Sequence, residues 1–133
     1  MRRACLTAAV LVASAGCMTA EQRAAYQQSA SRQLVCDGKD QCDIAWGRAV
    51  AWISMNCRFK IHTQTDLVVE TEGPLPSPST DIACRANRVP LGHDRAEIDF
   101  AASCGNIFGC VPDVLEVRAR FSDSIAAVLT AHD

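Results

Sequence analysis

After its first seventeen residues this 133-residue chain has no apolar run approaching the ~18 residues that a membrane-spanning helix needs. It is poor in aromatics, at 5%, and has no basic stripe with aromatics interleaved, so nothing points to a nucleic-acid partner. The cysteines form neither the C-x2-4-C knuckles nor, with histidine, the paired ligands usual for zinc, and there is no C-x-x-C of the thioredoxin-like redox kind. Ser54, Ser103, Ser122 and Ser124 lack a G-x-S-x-G context, and no glycine-rich phosphate loop occurs. No repeat and no strand–helix alternation of the parallel-sheet kind is present. The sequence therefore implies no metal, no cofactor and no recognisable catalytic motif.

What is present begins at the amino end. Met1, Arg2 and Arg3 supply positive charge, Ala4–Ala13 is a short apolar run, and Ser14, Ala15 and Gly16 are small residues leading to Cys17. That order is the pattern of a secretory signal peptide over residues 1–16. Ser14-Ala15-Gly16-Cys17 resembles the lipobox of bacterial lipoproteins, with Ser14 where that family usually carries Leu. The resemblance covers residues 1–17 alone; the remaining residues resemble no family. It implies removal of residues 1–16, a diacylglycerol thioether on Cys17 and acylation of the new amino terminus, with palmitate as an expected acyl group. Several acyl chains give stable membrane anchoring where one does not. In a Gram-negative cell Asp after the lipidated cysteine commonly means inner-membrane retention; Met18 stands there instead, which implies an outer-membrane anchor facing the periplasm.

Processing would leave 117 residues, one domain plus a tether, with 11 basic and 15 acidic side chains. It would also leave six cysteines besides Cys17, an even count that reads as disulfides in an exported protein. Six cysteines allow 15 pairings. Cys36/Cys42 and Cys104/Cys110 are both C-x5-C and close locally, leaving Cys57 with Cys84.

Residues 17–33 are rich in Ala, Gln, Ser and Arg without an apolar stripe and are expected to form a flexible tether, about 50 Å long if extended. The folded part, residues 34–133, is expected to be one α+β domain. Cys42, Ala45, Trp46, Ala49, Val50 and Ile53 recur at helical spacing and predict a core-facing helix of about 14 residues, with Asp40 as its cap and Trp46 and Trp52 packed on a sheet. At Asn56 the period becomes two, and Cys57–Gln64, Leu67–Glu72, Ile82–Val89 and Ala96–Ala102 predict a four-stranded antiparallel sheet. Pro74, Pro76 and Pro78 mark an exposed loop, and Pro90–Asp94 a turn. A carboxy-terminal helix follows, with Pro112 in its first turn and a stripe of Val114, Val117, Phe121, Ile125, Val128 and Leu129.

Two features point to binding. Arg58, Lys60, Arg85 and Arg88 are expected to face outward as a basic strip able to meet an anionic polymer or headgroup. Ile107 and Phe108 sit at the tip of the ring closed by Cys104 and Cys110, where apolar exposure suits protein contact. His62, His93 and His132 read as surface residues. The leading expectation is thus a non-catalytic structural or interaction module of the envelope, partnered by the membrane and by an envelope protein or anionic polymer. The alternative is a periplasmic hydrolase or ligand-binding protein built on His62 with Glu70 or Glu97, or on carboxylates from Glu70/Glu72 and Glu97/Asp99 brought together.

Overall fold

The computed structural model describes residues 17–76 and 78–132. The signal peptide expected over residues 1–16 lies outside the described residues. Among the described residues the elements are α1 (Ala20–Ala30), β1 (Val35–Asp37), α2 (Lys39–Asn56), β2 (Ile61–Gln64), β3 (Val68–Thr71), β4 (Ala83–Gly92), β5 (Arg95–Ser103) and α3 (Val114–Ala131). The strands form one antiparallel sheet in the order β1-β5-β4-β3-β2. One face of the sheet carries α2 and α3; α1 lies against α3. This is an α+β fold, with five strands rather than the expected four.

The core sits between the sheet and the helices. Phe121, Ile53, Ile125 and Val69 are fully buried there. Phe100 of β5 stacks on Phe121 of α3 with ring centroids 4.0 Å apart, and Trp52 of α2 meets both rings edge-on at 5.6 and 5.3 Å. Each such side chain contributes about 1.5–3 kcal/mol by leaving water, and ring pairs add about 0.5–1.5 kcal/mol. Trp52 therefore packs on the sheet, as expected, although it lies outside the predicted stripe that holds Trp46. Trp46 is also buried, and its indole N–H donates to the Thr65 carbonyl at 3.2 Å, tying α2 to the β2–β3 turn.

Disulfides link Cys36–Cys42, Cys57–Cys84 and Cys104–Cys110, with Cα–Cα distances of 5.1, 6.1 and 5.7 Å. The first joins β1 to the start of α2, and the second joins the end of α2 to β4 across the core.

Several boundaries differ from expectation. The stretch expected to be a flexible tether holds α1. Thr19 Oγ1 accepts from the Gln22 N–H at 3.1 Å while Gln22 Oε1 accepts from the Thr19 N–H at 2.9 Å, a reciprocal cap. Its contact side is made by the half-buried Tyr26, Ser29 and Ala30, spaced three and one apart, and Arg32 pairs with Asp123 of α3 at 3.1 Å. Tyr26, with the small Ser29 and Ala30 beside it, lets the helix approach without an apolar stripe. At α2, Asp40 does not cap: the N-cap is Gly38 at φ 85°, and the helix runs 18 residues, to Asn56. Burial alternates from Cys57 to Gln64 as predicted, yet the ladder begins only at Ile61, because Cys57 caps α2 through its N–H to the Ile53 carbonyl. β1 is three residues long, too short for any period to show.

β4 continues through Pro90 to Gly92. Its register with β3 extends only from Arg85 to Asn87, so the missing Pro90 N–H breaks no ladder on that side. His93 and Asp94, at φ 53° and 58°, make the two-residue turn into β5. Pro112 precedes α3 rather than entering it: Asp113 is the cap and accepts from the Leu115 N–H at 2.8 Å.

Candidate functional site

Two loops meet beyond the ends of β3 and β5. Pro76 and Gly105 form a parallel bridge, Asn106 Nδ2 donates to the Pro78 carbonyl at 2.7 Å, and the Val111 N–H donates to the Thr80 carbonyl at 3.1 Å. The approach at Gly105 leaves no room for a side chain: a Cβ there would lie 2.0 Å from the Leu75 carbonyl oxygen. Within the disulfide ring, Asn106 Oδ1 accepts from the Phe108 N–H at 2.8 Å, a turn that fixes the tip, and Gly109 takes φ 127°. The result is a stapled knob presenting Ile107 at 82% and Phe108 at 92% exposure.

Leu75 and Val111 are exposed on the same pair of loops, and Met55, at the end of α2, lines a recess with Val111 and Pro112. No ionisable side chain occurs from Phe100 to Pro112 or from Gly73 to Thr80. The Met55 recess is also lined by Arg58 and Asp81, so it is the two loops that lack charge; exposed apolar side chains gathered on such loops suit contact with another molecule. Ile107 and Phe108 are legible in the sequence. Leu75 is not, because it reaches the second loop only through the pairing of loops some 30 residues apart; the shared lack of charge in the two segments is the signal that would have found it, and Met55, at the end of α2, carries no such signal.

The four basic residues do not form one strip. Arg85 and Arg88 are three apart on β4 and so point to opposite faces of the sheet. Arg85 lies on the open face, 3.7 Å from Glu70 and hydrogen-bonded to Asn87 at 3.1 Å. Arg88 is on the helix side, only 18% exposed, and reaches Asp43 of α2 at 2.9 Å. Arg58 and Lys60 precede β2 in the connection from α2, with Arg58 3.8 Å from Asp81.

The carboxylates and histidines are equally dispersed. Glu70 and Glu97 sit on β3 and β5 with β4 between them, roughly 10 Å apart across the sheet. Their rows also differ, since Glu70 aligns with Arg85 and Glu97 with Val89. His62 turns its Nδ1 toward the Glu70 main-chain carbonyl at 3.3 Å, not toward a carboxylate. His93 occupies the β4–β5 turn and His132 caps the end of α3. Among the described residues no three His, Cys, Asp or Glu side chains gather at metal-binding distance.

A second concavity runs between α2 and the β2 end of the sheet, including the β2–β3 turn and Arg88 of β4. It measures about 850 Å³ and is lined by Trp46, Val50, Ala51, Ile61, Thr65 and Arg88, among others. Lys39, Asp43 and Arg88 form a bridge at its margin, with Asp43 accepting from both cations. The hydrogen bond from Lys39, followed by that from Arg88, holds the Asp43 carboxyl below the usual carboxylate range. Asp43 in turn holds the Lys39 ammonium above its ordinary value.

No family model, no curated protein and no solved structure matches this chain.

Proposed function

We propose that the chain is a lipid-anchored bacterial envelope protein, held by acyl chains on Cys17, whose α+β domain is a non-catalytic module that binds another envelope protein through the stapled tip. The observation that carries the reading is the exposure of Ile107 and Phe108 on a loop without charge. Burying either would contribute about 1.5–3 kcal/mol, on the scale of an interface hot spot. The three disulfides support an oxidising compartment. The exposed, unpaired Cys17 supports a thiol available for modification. The dispersal of histidines and carboxylates supports a binding role over hydrolysis.

The position of α1 changes how such an anchor would act. With α1 beginning at Ala20 and lying on α3, only Met18 and Thr19 separate the lipid-bearing residue from folded structure. The reach is then about 10 Å rather than about 50 Å, and the domain would ride at the surface of the leaflet.

The anchor is tested by growing cells with a traceable fatty acid: label is expected on the wild type and absent from Cys17→Ala. The contact is tested by a photocrosslinking side chain at position 108 in intact cells, with one at His93 in the β4–β5 turn as control. A discrete adduct from 108 alone, abolished by Ile107→Ser, is the expected result. Equal adducts from both positions, or none from 108, would refute the tip as the contact.

A further inference from the structure

We infer that the groove between α2 and β2 binds an extended stretch of another polypeptide, which adds to the free edge of β2 as a sixth strand. β2 is the last strand of the sheet, with β3 on one side and no strand on the other among the described residues. Its outer edge presents main-chain N–H and C=O groups on either side of a register shift between Ile61 and Thr63. α2 makes its main contacts to the sheet with β1, β5 and β4, and on β2 Ile61 packs against the margin of the core but stays half-buried. The cleft of about 850 Å³ falls within the range of ligand sites.

Its shape fits a strand. The α2 side is lined from Lys39 through Asp43, Gly47 and Ala51 to Ser54, a single stripe along the helix about 22 Å long. An extended segment of about seven residues spans that length. Alternate side chains of such a segment would point into the groove, against Trp46, Val50 and Ile61. At mid-length the helix wall is cut back: nothing lies within 4 Å of where a Gly47 Cβ would be, and the next turn carries only Ala51. That is room for one bulky apolar side chain. The Trp46–Thr65 hydrogen bond fixes the spacing between the two walls.

Charge separates this occupant from an anionic polymer. Lys39 and Arg88 are offset by Asp43 and Asp66 around the same groove. The site therefore selects by main-chain pairing and by the shape of alternating side chains, and binding is expected to depend weakly on salt. This surface is separate from the stapled tip and does not rest on it.

The test uses the full exported chain, panned against random seven-residue peptides displayed on phage. Selected peptides are expected to alternate apolar and polar residues, to bind in an extended form, and to slow exchange of amide protons within Ile61–Gln64. Ala51→Phe, an exposed position on the groove wall, is expected to weaken binding at least tenfold without altering thermal stability. Methylating the peptide nitrogens that face β2 is expected to weaken binding at least tenfold, while methylating those that face away leaves it unchanged; here the protein is untouched, so folding does not enter. The inference is overturned if panning yields no binder, if Ala51→Phe binds as well as the wild type, or if the bound peptide is helical. It is equally overturned if the chain self-associates through β2 and peptide does not compete, or if binding falls steeply with salt.

Discussion

The same substitution, glycine to alanine, is expected to act with opposite sign at two positions. At Gly105 the new methyl would sit 2.0 Å from the Leu75 carbonyl oxygen and 2.9 Å from its carbon, where ordinary contact begins at 3.4 Å. About 1.4 Å must be recovered, and the obstacle is backbone, not the free end of a side chain. Forced overpacking of this kind costs about 1–3 kcal/mol, which for a domain of this size lowers the melting temperature by about 4–12 °C. At Gly47, inside α2 with open space around it, alanine removes the conformational entropy penalty of a helical glycine and stabilises by about 0.5–1 kcal/mol. Urea unfolding followed by tryptophan fluorescence measures both variants. Amide exchange in residues 73–81 locates the first effect, because separating Gly105 from Leu75 also releases the Pro76 bridge. Gly105→Ala at wild-type stability, with unchanged exchange there, would refute the close approach of the two loops and with it the apolar surface they build.

Loop length ranks the disulfides. Replacing Cys57 and Cys84 with serine opens a closure spanning 27 positions and is expected to remove about 3–4 kcal/mol, against about 2 kcal/mol for the six-position closure of Cys36 and Cys42; the reverse order in urea midpoints would contradict the ranking. Phe121→Ala, which deletes a fully buried ring stacked on Phe100, is expected to lower stability by about 3–5 kcal/mol, and a loss under 1 kcal/mol in the same assay would place the core elsewhere. Asp43 is held below its ordinary value, so its contribution is present above about pH 4, where the unfolded carboxylate is ionised, and fades as pH falls through the folded value. Asp43→Asn should accordingly be less stable than wild type at pH 6, with the gap closing in acid; a gap that widens on acidification would show the sign to be wrong.

The parts of the fold that were legible in the sequence are those whose period is long enough to count. α2 and α3 announce themselves by three to four turns of apolar spacing, and the alternation from Cys57 to Gln64 reports burial correctly although the paired register with β3 starts only at Ile61. Cysteine spacing suffices for the disulfides because two equal short loops leave one remaining pair. α1 was not legible, since its contact is made by one aromatic, Tyr26, with the small Ser29 and Ala30, too few apolar positions to show a helical period. β1 spans three residues and is held by pairing with β5, a contact 60 positions distant. The basic strip failed on parity: Cys84 and Ala86 face the helices, so Arg88 must as well, and Arg85 must not. The groove had no sequence signal, because it arises from where α2 crosses the sheet.

The placement of the three covalent links bears on function. Cys36, Cys42, Cys57 and Cys84 are all buried, and their bonds hold elements that also pack together. Cys104 and Cys110 are only partly buried, and the loop they close carries the two most exposed large apolar side chains among the described residues. Removing that bond would take little from the core, whereas it would free Ile107 and Phe108 to explore many orientations. Ordering a mobile side chain on binding costs about 0.5–1.5 kcal/mol, and a ring that has already restricted its loop reduces that cost before a partner arrives. A staple placed where it contributes least to packing and most to presentation is the arrangement expected of a recognition surface.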